Sequence, residues 1–500
     1  MVSRDYTINS SYPLTPEQNE LVEFMIQRPV CINAAQTGLG KTYSTLTAMA
    51  HVLSQHKDLI AVIVVPPKAL KVFRKELKQK LKVSYSELSK QQVTNGKSRI
   101  FLISQTSIKE HIKDLQELRK TGYKLMMILD EAHICQGEDN AFTITMRTIR
   151  HMFAIWWMLT ATPLGNDVWG LYNLMYLVNP KIFISKEMFA KQYFITERQR
   201  VKKYDPSLKR YVFPWEDVIV GYRDIEQLKK DIKDFVIIKQ KHYNLDFIYH
   251  KTDITQTEEQ NYLKASAGMA RETSKKNFAV RVNDLQQVVD NVSKKYGDPN
   301  VLASKERLFV QTLLQEINDH GIIVYAEQYE TIDRLELLCK MLKAKGHPIR
   351  NIYKITGSQD FTERAKVEDN LGRSDVVLIT QAGTESINLQ AADTIFLYNI
   401  PFSVKVLIQL VGRVTRVDSK YPRQYIHFIE AHNTIDTYRR LLISMRGGVI
   451  NKIFGDIETL PVELTIEDEK IAQKLRNKLL WTFSYRRLPT EEEIEQIIYS

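Results

Sequence analysis

Val30-Cys-Ile-Asn-Ala-Ala-Gln-Thr-Gly-Leu-Gly-Lys-Thr42, running on into Tyr43-Ser-Thr-Leu-Thr-Ala-Met-Ala-His-Val-Leu53, is the stretch on which the fold turns. A short apolar run meets a glycine-bearing turn and then a helical pattern. A loop that cradles phosphates needs glycines so that backbone N–H groups can approach. It also needs a lysine for the β- and γ-phosphates and a hydroxyl for a divalent cation, all at a helix N-terminus. Thr37, Gly38, Leu39, Gly40, Lys41 and Thr42 supply that set, and Ala35 stands where the usual pattern has its first glycine. A chance Gly-Lys-Thr turn would not come with a strand before it and a helix after it.

The next signal lies downstream in Leu125-Met-Met-Ile-Leu-Asp-Glu-Ala-His133, an apolar strand that ends in two carboxylates. In nucleoside triphosphatases with such a loop, the strand-end aspartate holds Mg²⁺ and a neighbouring acid polarises the attacking water. Asp130 is therefore assigned to the metal together with Thr42, and Glu131 to the water. His133 either couples the nucleotide state to its surroundings or packs; the residues leave both open.

Working outward, the same strand-then-helix rhythm repeats. Val30 to Ala34, Ala61 to Val65, Arg99 to Ser104, Leu125 to Leu129 and Trp156 to Leu159 are short apolar runs. A second set follows at Gly321 to Ala326, Ile352 to Ile355, Asp375 to Ile379, Thr394 to Tyr398 and Gln424 to Ile429. Continuous apolar strands separated by helices predict parallel sheets covered on both faces. The expected class is α/β, with two halves and a hinge at Asn244 to Thr252. The 500 residues allow two to four domains at roughly 100–200 residues each, and 44% hydrophobic with 26% charged residues is ordinary for a folded chain. The longest apolar run, Leu59 to Val65, is far short of the roughly 20 residues of a membrane span. Cys31, Cys135 and Cys339 form no C-x-x-C pair, which argues against a disulfide framework or a zinc knuckle. A formal charge of +11 favours a polyanionic partner. A cytoplasmic protein acting as a monomer, away from membranes, is the expectation.

Taken together, these residues resemble helicase superfamily 2. They include AQTGLGKT (35–42), DEAH (130–133) and LTATP (159–163), in that family's order. The stretches VVPPKALKVFRKEL (64–77), LTATPLGNDVWGLYNLMYLVNP (159–180) and QAGTESINLQAADTIFLYN (381–399) narrow the resemblance to Swi/Snf-like, remodeller-type ATPases, as does QLVGRVTR (409–416). The resemblance implies two RecA-like parallel-sheet lobes with ATP in the cleft between them. Lobe 1 would be residues 1–248, including a helical and hairpin insertion at about 181–248, and lobe 2 residues 249–500. Gln18 would read adenine, and Thr160 and Thr162 would link hydrolysis to nucleic-acid binding. Gly383 and Glu385 would touch both ATP and the nucleic-acid backbone. Arg413 and Arg416 match arginine fingers, cations that neutralise charge spreading onto the transferring phosphoryl group. Two departures stand out: Gly412 occupies a place where remodeller-type proteins carry Asp, and FVIIKQKHYNL (235–245) occupies the region of an expected Arg pair. A compact bacterial or viral DNA motor fits these better than a nucleosome remodeller.

A motor on DNA must grip phosphates. The candidates are Lys68 and Lys71, Ser104, Gln105 and Thr106, Thr356 and Gly357, and Thr380, each following a predicted strand. Between Ala190 and Trp215 lie seven basic, two acidic and six aromatic residues. RVKKY and KRYVF flank DPSL there, which predicts a β-hairpin. Lys202, Lys203, Tyr204, Lys209 and Arg210 are its candidate nucleic-acid contacts, with Tyr204 and Tyr211 able to stack on bases. The leading reading is an ATP-dependent DNA helicase or translocase in replication, recombination or repair. An RNA-directed ATPase and a nucleotide-gated binding switch are the alternatives.

Overall fold

A computed structural model describes residues 13–454 apart from 37, 82–84, 88–97, 121, 139, 164–167, 201–202, 206–209, 213–214, 240–243, 270–274, 294, 296–300, 358–360, 384–386, 388 and 416–420. The described residues fall into two units. The first runs to Gln192 and resumes at Asp224–Lys241; the second holds Tyr193–Arg223 and the chain from His242 onward.

The first unit is built on a seven-stranded sheet. Its strands are β1 (Val30–Asn33), β2 (Leu59–Val65), β3 (Ser86–Glu87), β4 (Ile100–Ser104), β5 (Lys124–Leu129) and β6 (Phe153–Leu159), with β11 (Val236–Ile237) from later in the chain. The spatial order is β11-β1-β6-β5-β2-β4-β3, and every pairing is parallel. All seven residues of β2 are buried, the signature of a strand covered on both faces. Helix Lys41–Gln55 lies over the sheet through Leu46, Met49 and Leu53, which join Ile63, Met126 and Ile128 in one core.

Two hairpin arms follow. β7 (Phe194–Arg200) pairs antiparallel with β10 (Trp215–Tyr222), and β8 (Lys203–Asp205) pairs with β9 (Arg210–Val212). The hairpin expected around DPSL is therefore present as strand pairing.

The second unit carries a six-stranded, all-parallel sheet in the order β12-β17-β16-β13-β15-β14. These are β12 (Asn244–Thr252), β13 (Ile322–Tyr325), β14 (Ile352–Ile355), β15 (Val376–Ile379), β16 (Thr394–Leu397) and β17 (Arg423–Ala431). The boundary expected at Asn244 to Thr252 falls just before it, between Lys241 and His242, but the stretch itself is no hinge: it is a nine-residue strand paired along its whole length with β17. It escaped the sequence reading because it is an edge strand, half-buried at most positions, and has no continuous apolar run. Among the described residues no helix is long and apolar enough to cross a membrane.

Candidate functional site

In an all-parallel sheet every strand ends on the same edge, and side chains that follow the strands gather there. In the first unit the loops after β1, β6 and β5, which are neighbours in the sheet, bring together Ala35–Thr42, Thr160–Pro163 and Asp130–Gln136. The loops after β2 and β4, the next strands along, carry Lys68, Lys71 and Ser104–Ser107. Topology alone separates the phosphate-type residues from the proposed backbone-gripping ones.

The phosphate loop is held from four sides. Gly38 and Gly40 take φ of 91° and 79°, left-handed values that glycine adopts without cost. A Cβ on Gly40 would meet Gln18 Nε2 at 2.3 Å, so a side chain there would push the Gln18 amide aside. Gln18 closes a capping box with Thr15 at the start of helix Pro16–Ile26 and donates Nε2 to the Leu39 carbonyl at 3.1 Å. The buried Asn33 Oδ1 accepts from the Ala35 N–H at 3.1 Å. The Gln36 N–H donates to the Lys239 carbonyl at 2.8 Å, which ties the loop to the residues after β11. Lys41 is the first residue of helix Lys41–Gln55, and its Nζ donates to the Ala35 carbonyl at 2.6 Å, folded back over the loop. Thr42 follows it, half-buried. Thr37 lies outside the described residues.

The two carboxylates stand beside this loop. Burial and the adjacent Glu131 push the Asp130 carboxyl up to about 7, against the pull of Lys41. Glu131 sits at φ 49°, in the left-handed region that a residue with a side chain occupies only at a cost of about 1–3 kcal/mol. Its Oε2 lies 3.0 Å from His133 Nδ1, so His133 bears on Glu131 itself. Two hard oxygen donors forced together until one resists ionising are a donor set suited to a divalent cation. Asp130, with Glu131 beside it, fits that role.

Several side chains brace these motifs, Gln136 and Asn173 among them missed by sequence reasoning. Gln105, expected at nucleic acid, is buried and donates Nε2 to the Asp130 carbonyl at 2.7 Å. Its side chain is a strut under the carboxylate loop, because the residue after β4 points back into the sheet edge. Gln136 donates to the Thr162 carbonyl at 2.8 Å and accepts from Asn173 Nδ2 at 2.6 Å, linking the DEAH segment to LTATP. Thr160 and Thr162 are buried, and the Thr160 hydroxyl accepts from the Thr162 N–H at 3.1 Å. Only Asn33 left a local trace, a polar residue closing an apolar strand.

Lys68 and Lys71 are exposed, and the Ser104 and Thr106 hydroxyls bond one another at 2.8 Å. In the second unit the structure brings Thr356–Gly357, after β14, against the turn Gln381–Gly383, after β15. A Cβ on Gly383 would lie 2.2 Å from the Ile355 carbonyl oxygen, so glycine is obligatory there. Thr356 and Thr380 are 3% exposed, which corrects the expectation that their side chains face nucleic acid; the strand ends bury them. Arg413 ends helix Val404–Val414 and donates Nη1 to the Ile387 carbonyl at 3.2 Å. Glu385, Arg416, Lys202 and Lys209 lie outside the described residues. Lys203, Tyr204 and Arg210 are placed only as members of β8 and β9.

The class this arrangement defines is a phosphate-loop protein with a strand-end Asp-Glu pair and two parallel-sheet units. The SNF2-related domain matches residues 17–293, and the helicase conserved C-terminal domain matches residues 304–418. The chain belongs to the SNF2-related family. It is 22% identical over 93% of its length to the ISWI chromatin-remodeling complex ATPase CHR17 of Arabidopsis thaliana, covering 44% of that protein. It is 21% identical over 92% of its length to the uncharacterized ATP-dependent helicase YqhH of Bacillus subtilis, covering 82% of it. The chain thus spans about half the length of the remodelling relatives it matches. The Sulfolobus solfataricus SWI2/SNF2 ATPase core in complex with dsDNA aligns over 97% of this chain and 98% of its own, with a TM-score of 0.40 and 15% identity.

Proposed function

We propose that the chain is a Mg²⁺-dependent, DNA-stimulated ATPase of the compact DEAH-box type that translocates on duplex or branched DNA. It would act as a cytoplasmic monomer in replication, recombination or repair. One observation carries the nucleotide half of this reading. Lys41, Asp130 and Glu131 converge at one sheet edge, and Asp130 is held near 7 by burial and by its neighbouring carboxylate. The DNA half draws support from the exposed Lys68 and Lys71 one loop along the same edge.

In this reading Lys41 leaves the Ala35 carbonyl for the β- and γ-phosphates, and Asn33 and Gln18 keep the loop in shape while it does so. Asp130 and Thr42 would hold Mg²⁺, which would supply charge neutralisation and orientation of the phosphates. Glu131 accepts a proton from the attacking water, and His133 holds the Glu131 carboxylate in place. Arg413 and Arg416 neutralise charge on the transferring phosphoryl group. The basic hairpin supplies a wedge that separates strands.

The test is ATP turnover measured in parallel with no nucleic acid and with single-stranded, duplex, forked and four-way DNA and single-stranded RNA. Stimulation by duplex or branched DNA together with displacement of a triplex-forming strand supports the motor. Stimulation by RNA alone moves the protein to an RNA-directed ATPase. Tight DNA binding with no stimulation leaves a nucleotide-gated switch.

A further inference from the structure

Much of the buried charge in the second unit is well paired. Lys305 Nζ, 1% exposed, lies 3.0 Å from Asp290 Oδ1 and 2.8 Å from Asp436 Oδ2. Gln286 also donates to Asp290 Oδ1, Thr331 donates to Oδ2, and Asn399 reaches both oxygens. Arg439, on the helix Ile435–Phe454, is different. Its side chain is wholly buried, yet Nε and Nη2 find no hydrogen-bond acceptor among the described residues. Each unpaired buried donor costs about 1–3 kcal/mol, which offsets much of what the remaining contacts of this side chain contribute. The arginine therefore calls for more than a stabilising role.

Its contacts suggest what does. Nη1 donates to the Ile400 carbonyl at 3.0 Å and lies 2.7 Å from Glu327 Oε2, and the guanidinium stacks 3.9 Å from the Phe402 ring centroid. Ile400 and Phe402 belong to the short link between β16 and the helix Val404–Val414, whose last turn carries Arg413. The link is also gripped at its start, where Asn399 accepts from the Glu327 N–H at 3.0 Å and donates to Asp290. The helix beyond is a regular rod of 11 residues, buried along most of its length. Arg413 stands about 14 Å along that rod from the link at 1.5 Å per residue, so a tilt of about 5° displaces it by about 1 Å. A misplacement of that size at a reacting centre costs about a hundredfold in rate.

We propose that Arg439 is a positioning residue for ATP hydrolysis: by gripping Ile400 and Phe402 it sets the axis of the helix that presents Arg413. The inference rests on the reading above, in which Arg413 acts on the transferring phosphoryl group. Arg439 itself touches no nucleotide.

The test uses the full chain with Arg439→Met, Arg439→Lys, Phe402→Leu and, as reference, Arg413→Ala. Steady-state ATP turnover with Mg²⁺ and saturating linear duplex DNA is measured well below each variant's unfolding midpoint. Arg439→Met lowers kcat by about 10- to 100-fold, with KM for ATP changed less than about twofold. Arg439→Lys, which keeps one donor and loses the planar stack, recovers part of the rate, and Phe402→Leu falls between. Added to Arg413→Ala, the Arg439→Met change costs nothing further, because both act through one group. Wild-type kcat in folded Arg439→Met, or a full additional loss on the Arg413→Ala background, overturns the proposal. Wild-type turnover in Arg413→Ala overturns the functional reading, and the proposal with it. Should Arg439→Met fail to fold, Arg439→Lys and Phe402→Leu decide by the same criteria.

Discussion

Replacing Asp130 by Asn makes the protein without nucleotide more stable at neutral and alkaline pH, and the gain vanishes in acid. Burial and Glu131 raise the Asp130 carboxyl from 3.8 to about 7, so between those values the folded chain holds a proton that the unfolded chain has lost. Stability therefore falls as pH rises through this window. At about 1.4 kcal/mol per pH unit the full gap corresponds to about 4 kcal/mol. Asp130 keeps part of its side chain toward solvent, which screens the effect, and about 2 kcal/mol is the expected figure at pH 8. The assay is urea denaturation of wild type and Asp130→Asn at half-unit steps from pH 4 to pH 8. Subtracting one curve from the other at each pH removes every other titrating group. The difference should be smallest at pH 4 and grow in favour of the variant up to pH 7. A difference flat to within about 0.5 kcal/mol would refute the strained-carboxylate argument. With Mg²⁺ and ATP added, the order reverses. The charge that costs stability in the bare site is the one that holds the cation, so wild type gains from ligand and the variant does not.

Lys41→Ala abolishes ATP turnover and spares DNA binding, while Glu131→Gln still binds ATP but turns over at least about a hundredfold slower; parallel turnover and nucleotide-binding measurements check both. Gly383→Ala destabilises the second unit by about 1–3 kcal/mol or more, read as a lowered denaturation midpoint, because the new methyl meets the Ile355 carbonyl. Burial, with help from His250 and His320, depresses His427 from 6.5 to about 3. Since the unfolded chain takes up a proton that the folded one refuses, stability drops below pH 6.5 by about 2 kcal/mol at pH 5, and His427→Gln should flatten that acid limb of the denaturation curve. Exchanging residues 202–210 for a short Gly-Ser turn leaves DNA-stimulated ATP turnover intact and abolishes fork unwinding on the same substrate; unchanged unwinding would reduce the hairpin to a surface feature.

Ten apolar runs were legible as strands, and all ten lie in the two sheets. An inner parallel strand is covered on both faces, so its burial is written into its residues and needs no partner to be recognised. The strands of these two sheets that escaped notice, β3, β11 and β12, are edge members. β3 and β11 have only two residues each, and β12 is half-buried, so none leaves a continuous apolar mark. The site divides in the same way. Gly38, Gly40, Lys41, Thr42, Asp130 and Glu131 were readable because phosphate-loop chemistry is done by neighbours in the chain, at spacings a helix and a turn impose. What only the tertiary structure decided are the contacts between residues far apart in sequence: Gln105 on the Asp130 carbonyl, Gln136 on that of Thr162, and Arg439 on that of Ile400. A glutamine or arginine in a string of residues carries no sign of which distant carbonyl it will meet. The same holds for the proton affinity of Asp130. It is a property of the water excluded and the charges gathered around it, which come into being only when β1, β5 and β6 lie side by side.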